Sequence, residues 1–163
     1  MNNYQITLTS LNDLDAVMDI YDKARLFMRQ NNNQEQWING YPQREVIVED
    51  INLKRSYLIK KNDTILAVFT FINGDDETYH DIEGKWLNDE KYGVIHRIGS
   101  NQIEKGMLAV AINYCFQFVN NMRIDTHQDN KVMQHLLEKL GFSKCGIIYL
   151  KDGSPRLAYQ KAK

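Results

Sequence analysis

Apolar positions along the chain change their period several times, and each change marks an element. "YQITL" (Tyr4–Leu8) alternates weakly and predicts a short strand. Ser10 followed by Asp13 gives a capping-box-like start. It opens a helix with Leu14, Val17, Met18, Tyr21, Ala24, Phe27 and Met28 on one face. "NNNQEQWINGYP" breaks that pattern, and Pro42 suits the first turn of a second helix carrying Val46, Ile47 and Ile51. "SYLIKKNDTILAVFTFI" reads as a hairpin turning at Asn62-Asp63. Its second run, Ile65 to Ile72, is nearly continuous, as in a strand covered on both faces. Residues 73–91 are polar and acidic and predict the longest loop.

"YGVIHRI" predicts another strand, followed by a turn and a helix from about Glu104 to Asn120 that is apolar nearly all round, hence central. "MRIDTH" is a further strand. Asp129 or Asn130 caps a helix bearing Met133, Leu136, Leu137 and Leu140, stopped by Gly141. A closing hairpin turns at Asp152-Gly153. The order β-α-α-β-β-β-α-β-α-β-β, without repeat or linker, predicts one α+β domain over residues 1–163.

Bulk properties narrow the function classes. The 163 residues are 43% hydrophobic and 25% charged, with a formal net charge of −1. That is an ordinary globular composition. Charges are scattered, without the basic stripe that nucleic-acid binding needs. No apolar run approaches a membrane span of roughly 20 residues, and "MNNYQITLTS" lacks the regions of a signal peptide. Cys115 and Cys145 lie far apart in apolar segments, which predicts reduced thiols in a cytoplasmic protein rather than a disulfide or zinc framework.

The stretch Arg97 to Phe116 carries the first chemical signal. It runs from a strand end through a polar turn into an apolar helix, the layout in which backbone N–H groups and a helix N-terminus hold a pyrophosphate. The element order around it, with "DNKVMQHLLEKLGF" (Asp129–Phe142), resembles the GNAT family of acetyl-CoA-dependent N-acetyltransferases. The family's closing helix typically reads N-x-x-A-x-x-L-Y-E-K-x-G-F, matched here by Asn130, Leu136, Glu138, Lys139, Gly141 and Phe142. The resemblance covers the whole chain. It implies a mixed, mostly antiparallel central sheet with helices on both faces, with acetyl-CoA as co-substrate and no metal. It further implies transfer by direct attack of a small-molecule or peptide amine, and a homodimer is compatible with it. Two departures stand out. The family's cradle pattern Q/R-x-x-G-x-G/A meets only Gly106 in "IEKGML", with Ile103 and Leu108 at the other two places. The tyrosine of L-Y-E-K, the usual acid for the departing thiolate, is Leu137.

Carried onto this chain, the resemblance assigns coenzyme binding to Ser100, Glu104, Lys105, Gly106, Met107 and Leu108. It gives an oxyanion-stabilising N–H to Ile98 and contact with the pantetheine arm to Asn130. A proton acceptor is also needed, because an alkyl amine with a pKa near 10 is largely protonated at neutral pH. The candidates are His96, Asp125, His127 and Glu83. Strand alternation places Val94, His96 and Ile98 on one face, and Arg123, Asp125 and His127 on one face, where Asp125 could orient His127 or pair with Arg123. His96 also reads as a hydrogen-bonded core residue. Tyr149 is the substitute acid, or a sheet aromatic. Trp37 and Tyr41 would wall the acceptor pocket. Glu83, the neighbouring acids and Trp86 would draw in a cationic amine, or form a solvated loop held by one packed tryptophan. Leu108 and Leu137 favour an alternative, a catalytically degenerate binding module of the same fold.

Overall fold

A computed structural model describes residues 3–163. Its elements follow the predicted order with one added strand, β4: β1 (Gln5–Leu8), α1 (Leu14–Gln30), α2 (Arg44–Asn52), β2 (Ser56–Lys61), β3 (Thr64–Asn73), β4 (Glu83–Gly84), β5 (Gly93–Ser100), α3 (Met107–Cys115), β6 (Asn121–Thr126), α4 (Lys131–Lys139), β7 (Ser143–Tyr149) and β8 (Pro155–Ala162). The strands form one eight-stranded sheet in the order β1-β2-β3-β5-β6-β8-β7-β4. Every neighbouring pair is antiparallel except β5 and β6.

Alternation along β3 sorts the two faces. Ala67, Phe69 and Phe71 enter the main core with Met107, Leu108, Ala111, Ile112 and Cys115 of α3 and Leu137 of α4. Val68 and its neighbour Leu58 turn the other way, onto Leu14, Val17, Ile20 and Tyr21 of α1 and Ile47 and Ile51 of α2. Each fully buried aliphatic or aromatic side chain contributes about 1.5–3 kcal/mol of transfer free energy. Both faces of β3 are therefore core, as its unbroken apolar run predicts. On the α1/α2 side, a third cluster (Tyr79, Tyr92, Val94, Ile148 and Ala158) lies under the acidic segment.

Local chemistry explains the ends. Asp13 accepts from the backbone N–H and hydroxyl of Ser10 at 2.8 and 3.0 Å, closing the capping box one short 3-10 turn before α1. Asn62 and Asp63 both take positive φ (50° and 66°), as a two-residue hairpin of primed type requires. Asn130 caps α4 by accepting from Met133 N–H at 3.0 Å, and Gly141 (φ 91°) ends it.

Three boundaries differ from the sequence reading. The turn before α3 takes up Asn101 to Gly106, because Gln102 and Gly106 adopt positive φ and Asn101 Oδ1 accepts from Ile103 N–H. Helix α3 also stops at Cys115, leaving Phe118 54% exposed beyond it. Within the predicted acidic loop, the two residues of β4 pair with Gly146 and Ile147 at the sheet edge.

Candidate functional site

The parallel pair β5–β6 defines the site. The two strands are paired only at Gly93–Met122 and Val94–Arg123. Beyond these they part, although β5 continues to Ser100 and β6 to Thr126. A ligand crevice forms where strands diverge at their carboxyl ends at a switch in strand order. Thr126 ends β6 beside this gap, its buried Oγ1 without a partner among the described residues.

A bulge lies in β5 along the gap. Val68 pairs with Gly99 but Thr70 with His96, so β5 carries one residue more than β3 there. Arg97 has φ 47°. The extra residue shifts the alternation. Ile95 and Ile98 face the α3 core, whereas His96, Arg97 and Gly99 face the α1/α2 side. The Arg97 guanidinium donates from Nε and Nη2 to Asp50 at 2.8 Å each. A Cβ on Gly99 would meet Tyr21 at 3.2 Å. The expected common face of Val94, His96 and Ile98 is therefore corrected: the bulge turns Ile98 to the opposite face from His96.

Asp50 is fully buried and also accepts from Arg55 Nε at 2.7 Å and Thr70 Oγ1 at 2.9 Å. The Tyr21 hydroxyl donates to the Arg97 carbonyl at 2.7 Å. Burial works against the charged Arg97 guanidinium, yet its bonds to Asp50 and Tyr41 raise its pKa above the ordinary arginine value.

The acidic segment folds down onto the same face. His96 Nε2 lies 2.6 Å from Asp76 Oδ2. The other oxygen of Asp76 accepts from Thr78 N–H and Oγ1 at 2.9 and 2.7 Å. Burial would raise the Asp76 pKa, but the bonds from His96 and Thr78 outweigh it and hold the carboxyl well below the usual range. Tyr79, fully buried, donates to Asp125 Oδ2 at 2.6 Å. Arg123 is clamped between Trp86 and Tyr92, 4.0 Å from each ring, and donates to Asn88 O at 2.9 Å. Neither sequence-level pairing of Asp125 forms. One of its two oxygens accepts from Tyr79, and Arg123 is drawn off by the two aromatics. Trp86, which also donates to Tyr79 O at 3.0 Å, packs the segment onto the sheet.

The connection from α1 to α2 walls the other side. Arg29 donates to the carbonyls of Asn33, Gln36 and Trp37 at 2.8–2.9 Å. Trp37 packs edge-on against Tyr21 and Tyr41, and the Tyr41 hydroxyl accepts from Arg97 at 3.1 Å. Gln36 Oε1 accepts from Asn33 Nδ2 at 2.8 Å and Asn130 Nδ2 at 2.9 Å, tying this connection to the start of α4. Asn33 Oδ1 is buried without a partner among the described residues. His127 Nδ1 accepts from Asp129 N–H at 3.0 Å. Burial first, and Arg156 second, lower the His127 pKa.

At the turn, Ser100 Oγ accepts from Gln102 N–H at 3.0 Å. Glu104 accepts from Tyr4 Oη at 2.6 Å and pairs with Lys61 at 3.4 Å, so its charge is held toward β1 and β2. Lys105 is exposed. Gly106 is the N-cap of α3 at φ 89°, and no atom lies within 4 Å of where its Cβ would be. A glycine offers no side-chain oxygen, so the first N–H groups of α3 have no cap. Met107 and Leu108 are buried in the main core. The Leu108 side chain therefore does not fill the turn.

Three further residues stand apart. Leu137 is fully buried. Tyr149 is 43% exposed at the end of β7, on the opposite face from Ile148 and Leu150, which pack under the acidic segment. Glu83 is exposed on β4, and the Tyr149 hydroxyl beside it is raised in pKa first by bonding to that carboxylate.

The structure thus gathers His96, Trp37, Tyr41, Asp125 and the turn around one strand, with Tyr149 and Glu83 at the sheet's far edge. Sequence reasoning did not foresee the partners Asp76, Tyr79 and Asp50. Asp76 was legible only as one of several loop acids, and no spacing connects it to a histidine 20 residues on. Among the described residues no group of three or more His, Cys, Asp or Glu could hold a metal ion. No described helix is long and apolar enough to cross a membrane.

No protein-family model matches the chain, and no curated protein does either. Solved structures do. An acetyltransferase of the GNAT family from Streptococcus agalactiae is 34% identical, with 98% of this chain and 95% of that one covered and a TM-score of 0.87. A GNAT-family acetyltransferase from Listeria monocytogenes is 18% identical, covering 98% and 95% at a TM-score of 0.72. The ribosomal-protein-S18-alanine N-acetyltransferase of Escherichia coli is 13% identical, covering 98% and 93% at a TM-score of 0.62. These last two likenesses are of fold.

Proposed function

Because the chain belongs to the GNAT family of acetyltransferases, we propose that it moves the acetyl group of acetyl-CoA to a primary amine of a small molecule or peptide, with His96 as proton acceptor. The observation that carries this reading is the bulged strand β5 beside the β5–β6 gap. It turns His96 to one face and Ile98 to the other.

The residues present suit the coenzyme. The uncapped N-terminus of α3 after Gly106, with open space around that glycine, suits a diphosphate. The unpaired strand edges past Val94 and Arg123, with the unpartnered Thr126 hydroxyl, suit an arm that carries amides. Ser100, Lys105, Met107 and Leu108 would contribute mainly backbone at this end, and Asn130 would line the arm. When bound, the coenzyme supplies an acyl carbon already activated as a thioester. The Ile98 N–H, on the bulged strand, would donate to the acyl oxygen as it gains charge.

His96 would take the proton that the amine sheds on attack and pass it to water. The departing thiol has an ordinary pKa of about 8.5, more than a unit below an alkyl amine's. It leaves as thiolate with little help, so a leucine in place of the family tyrosine removes the less critical proton transfer. Trp37 and Tyr41 would form the apolar wall of the acceptor pocket.

Acetyl-CoA should raise the melting temperature, and analogues lacking adenine should raise it less. Thiol release should follow with members of a panel of polyamines, aminoglycosides and peptides, and should collapse in His96→Ala. No thermal shift at millimolar acetyl-CoA would overturn the reading.

A further inference from the structure

We infer that Asp76 is the positioning residue of this site: it fixes the His96 tautomer so that Nδ1, not Nε2, receives the substrate's proton. The inference rests on the proposed acetyl transfer but names a residue and an atom that this reading leaves open.

The geometry leaves little freedom. Asp76 Oδ1 is held by Thr78 N–H and Oγ1, and its backbone N–H donates to Tyr92 Oη at 2.9 Å. The carboxylate cannot rotate away, and Oδ2 remains at 2.6 Å from His96 Nε2. An ionised carboxylate only accepts, so Nε2 carries the hydrogen. The lone pair of the neutral ring is then on Nδ1. No described residue bonds Nδ1, and the side chain is 22% exposed. The other candidates fit this role less well: Glu83 lies on β4 at the far edge of the sheet. Asp125 Oδ2 accepts from Tyr79. His127 Nδ1 accepts a backbone N–H, so its Nε2 bears the hydrogen in the neutral ring.

The groups that face His96 come from three elements. Asp76 and the Tyr79 ring, 6.1 Å away between ring centres, come from the acidic segment. Asp125 of β6 stands behind the Tyr79 hydroxyl. Thr70 is its partner across β3, with its hydroxyl committed to Asp50. Arg97, the next residue, is likewise turned onto Asp50. Among the described residues Asp76 is the one carboxylate in direct contact. In the step, the N–H bond of the substrate breaks as Nδ1–H forms and the ring becomes imidazolium. The Nε2 hydrogen stays in place, and the charge on Asp76 stabilises the cation.

The test compares wild type with Asp76→Asn and Thr78→Val in three readouts: kcat/KM against pH, coenzyme affinity, and 15N NMR of the His96 ring. Asp76→Asn offers an amide where Nε2 needs an acceptor. It should lower kcat/KM at neutral pH by about 10²–10⁴-fold, the range for losing a correctly poised base. It should also move the acid limb of the profile to lower pH and leave coenzyme affinity within about threefold. Thr78→Val removes one hydrogen bond to Asp76 and should cost about fivefold, the equivalent of one such bond. NMR should show Nε2–H in wild type. Nδ1–H in wild type would overturn the inference whether or not the variant folds, as would an Asp76→Asn enzyme with unchanged rate and acid limb. A wild type without coenzyme-dependent transfer would instead refute the acetyltransferase reading, and the NMR result would still decide the Asp76–His96 pair.

Discussion

Removing the Asp50 carboxylate is the sharpest test of how this site is held. Asp50 has no exposed side-chain surface, while the Arg97 side chain beside it is 13% exposed. Four bonds reach its two oxygens, three from guanidinium groups and one from Thr70. Bonds to charged groups each contribute about 1.5–3 kcal/mol net, so the set would total on the order of 10 kcal/mol if nothing opposed it. Desolvating the ions offsets much of that, but deleting one partner leaves the other buried and unpaired, at about 3–5 kcal/mol. Asp50→Ala should therefore lose about 3–5 kcal/mol in urea unfolding, out of roughly 5–15 for a domain. Replacing the two most buried of the three ions, as Asp50→Leu with Arg97→Met, should recover most of the loss, because Arg55, 28% exposed, can turn to solvent. A single variant that loses less than about 1 kcal/mol, at unchanged m-value, would refute the reasoning. So would a double variant no more stable than the single.

Two further outcomes follow from burial. Leu108→Ala should cost about 2–5 kcal/mol in the same unfolding assay. Because its side chain is in the core, acetyl-CoA affinity by calorimetry should change less than about threefold; a large gain would mean that leucine had crowded the turn. His127, with its pKa lowered by burial and by Arg156, binds its proton less readily folded than unfolded. Its contribution is therefore complete above the ordinary histidine value of about 6.5 and is lost as pH falls through the lower folded value. Melting temperature should drop between pH 7 and 5, and His127→Gln should flatten that drop.

Elements set by local pattern were legible in the sequence. The apolar spacing of α1, the unbroken run of β3, the Asn62-Asp63 turn and the Asn130–Gly141 frame of α4 all carry their cause within a few residues. The turn before α3 was legible by position, and the expected mixed sheet matches the solved relatives. What escaped depends on distant partners. Strand β4 is two residues that exist because Gly146 and Ile147 offer an edge. The bulge at Arg97 has no glycine to announce it, since a positive φ is held there by Asp50 from α2 and Tyr21 from α1. His96 could be placed on a strand, but its alignment depends on a loop aspartate whose spacing has no periodic meaning.

The bulge also explains how one strand serves two chemical faces. Were β5 regular with Arg97 kept in register, strict alternation would return His96 and Ile98 to the same side. The proton acceptor and the backbone beside the core would then no longer diverge. Deleting Arg97 separates the two roles of the extra residue. The strand would become regular, with Ile98 opposite Phe69 on the α3 side and Gly99 still opposite Val68. Gly99, where a Cβ would lie 3.2 Å from Tyr21 and 3.3 Å from Ala24, therefore keeps its place under α1. Asp50, however, would lose its bidentate partner. The deletion should therefore still unfold cooperatively but lose about 3–5 kcal/mol in urea, the cost of leaving a buried charge without its partner, whereas Arg97→Lys, which keeps the bulge and one charge, should lose less. A deletion variant as stable as wild type would show that the bulge is not there to place a guanidinium on Asp50.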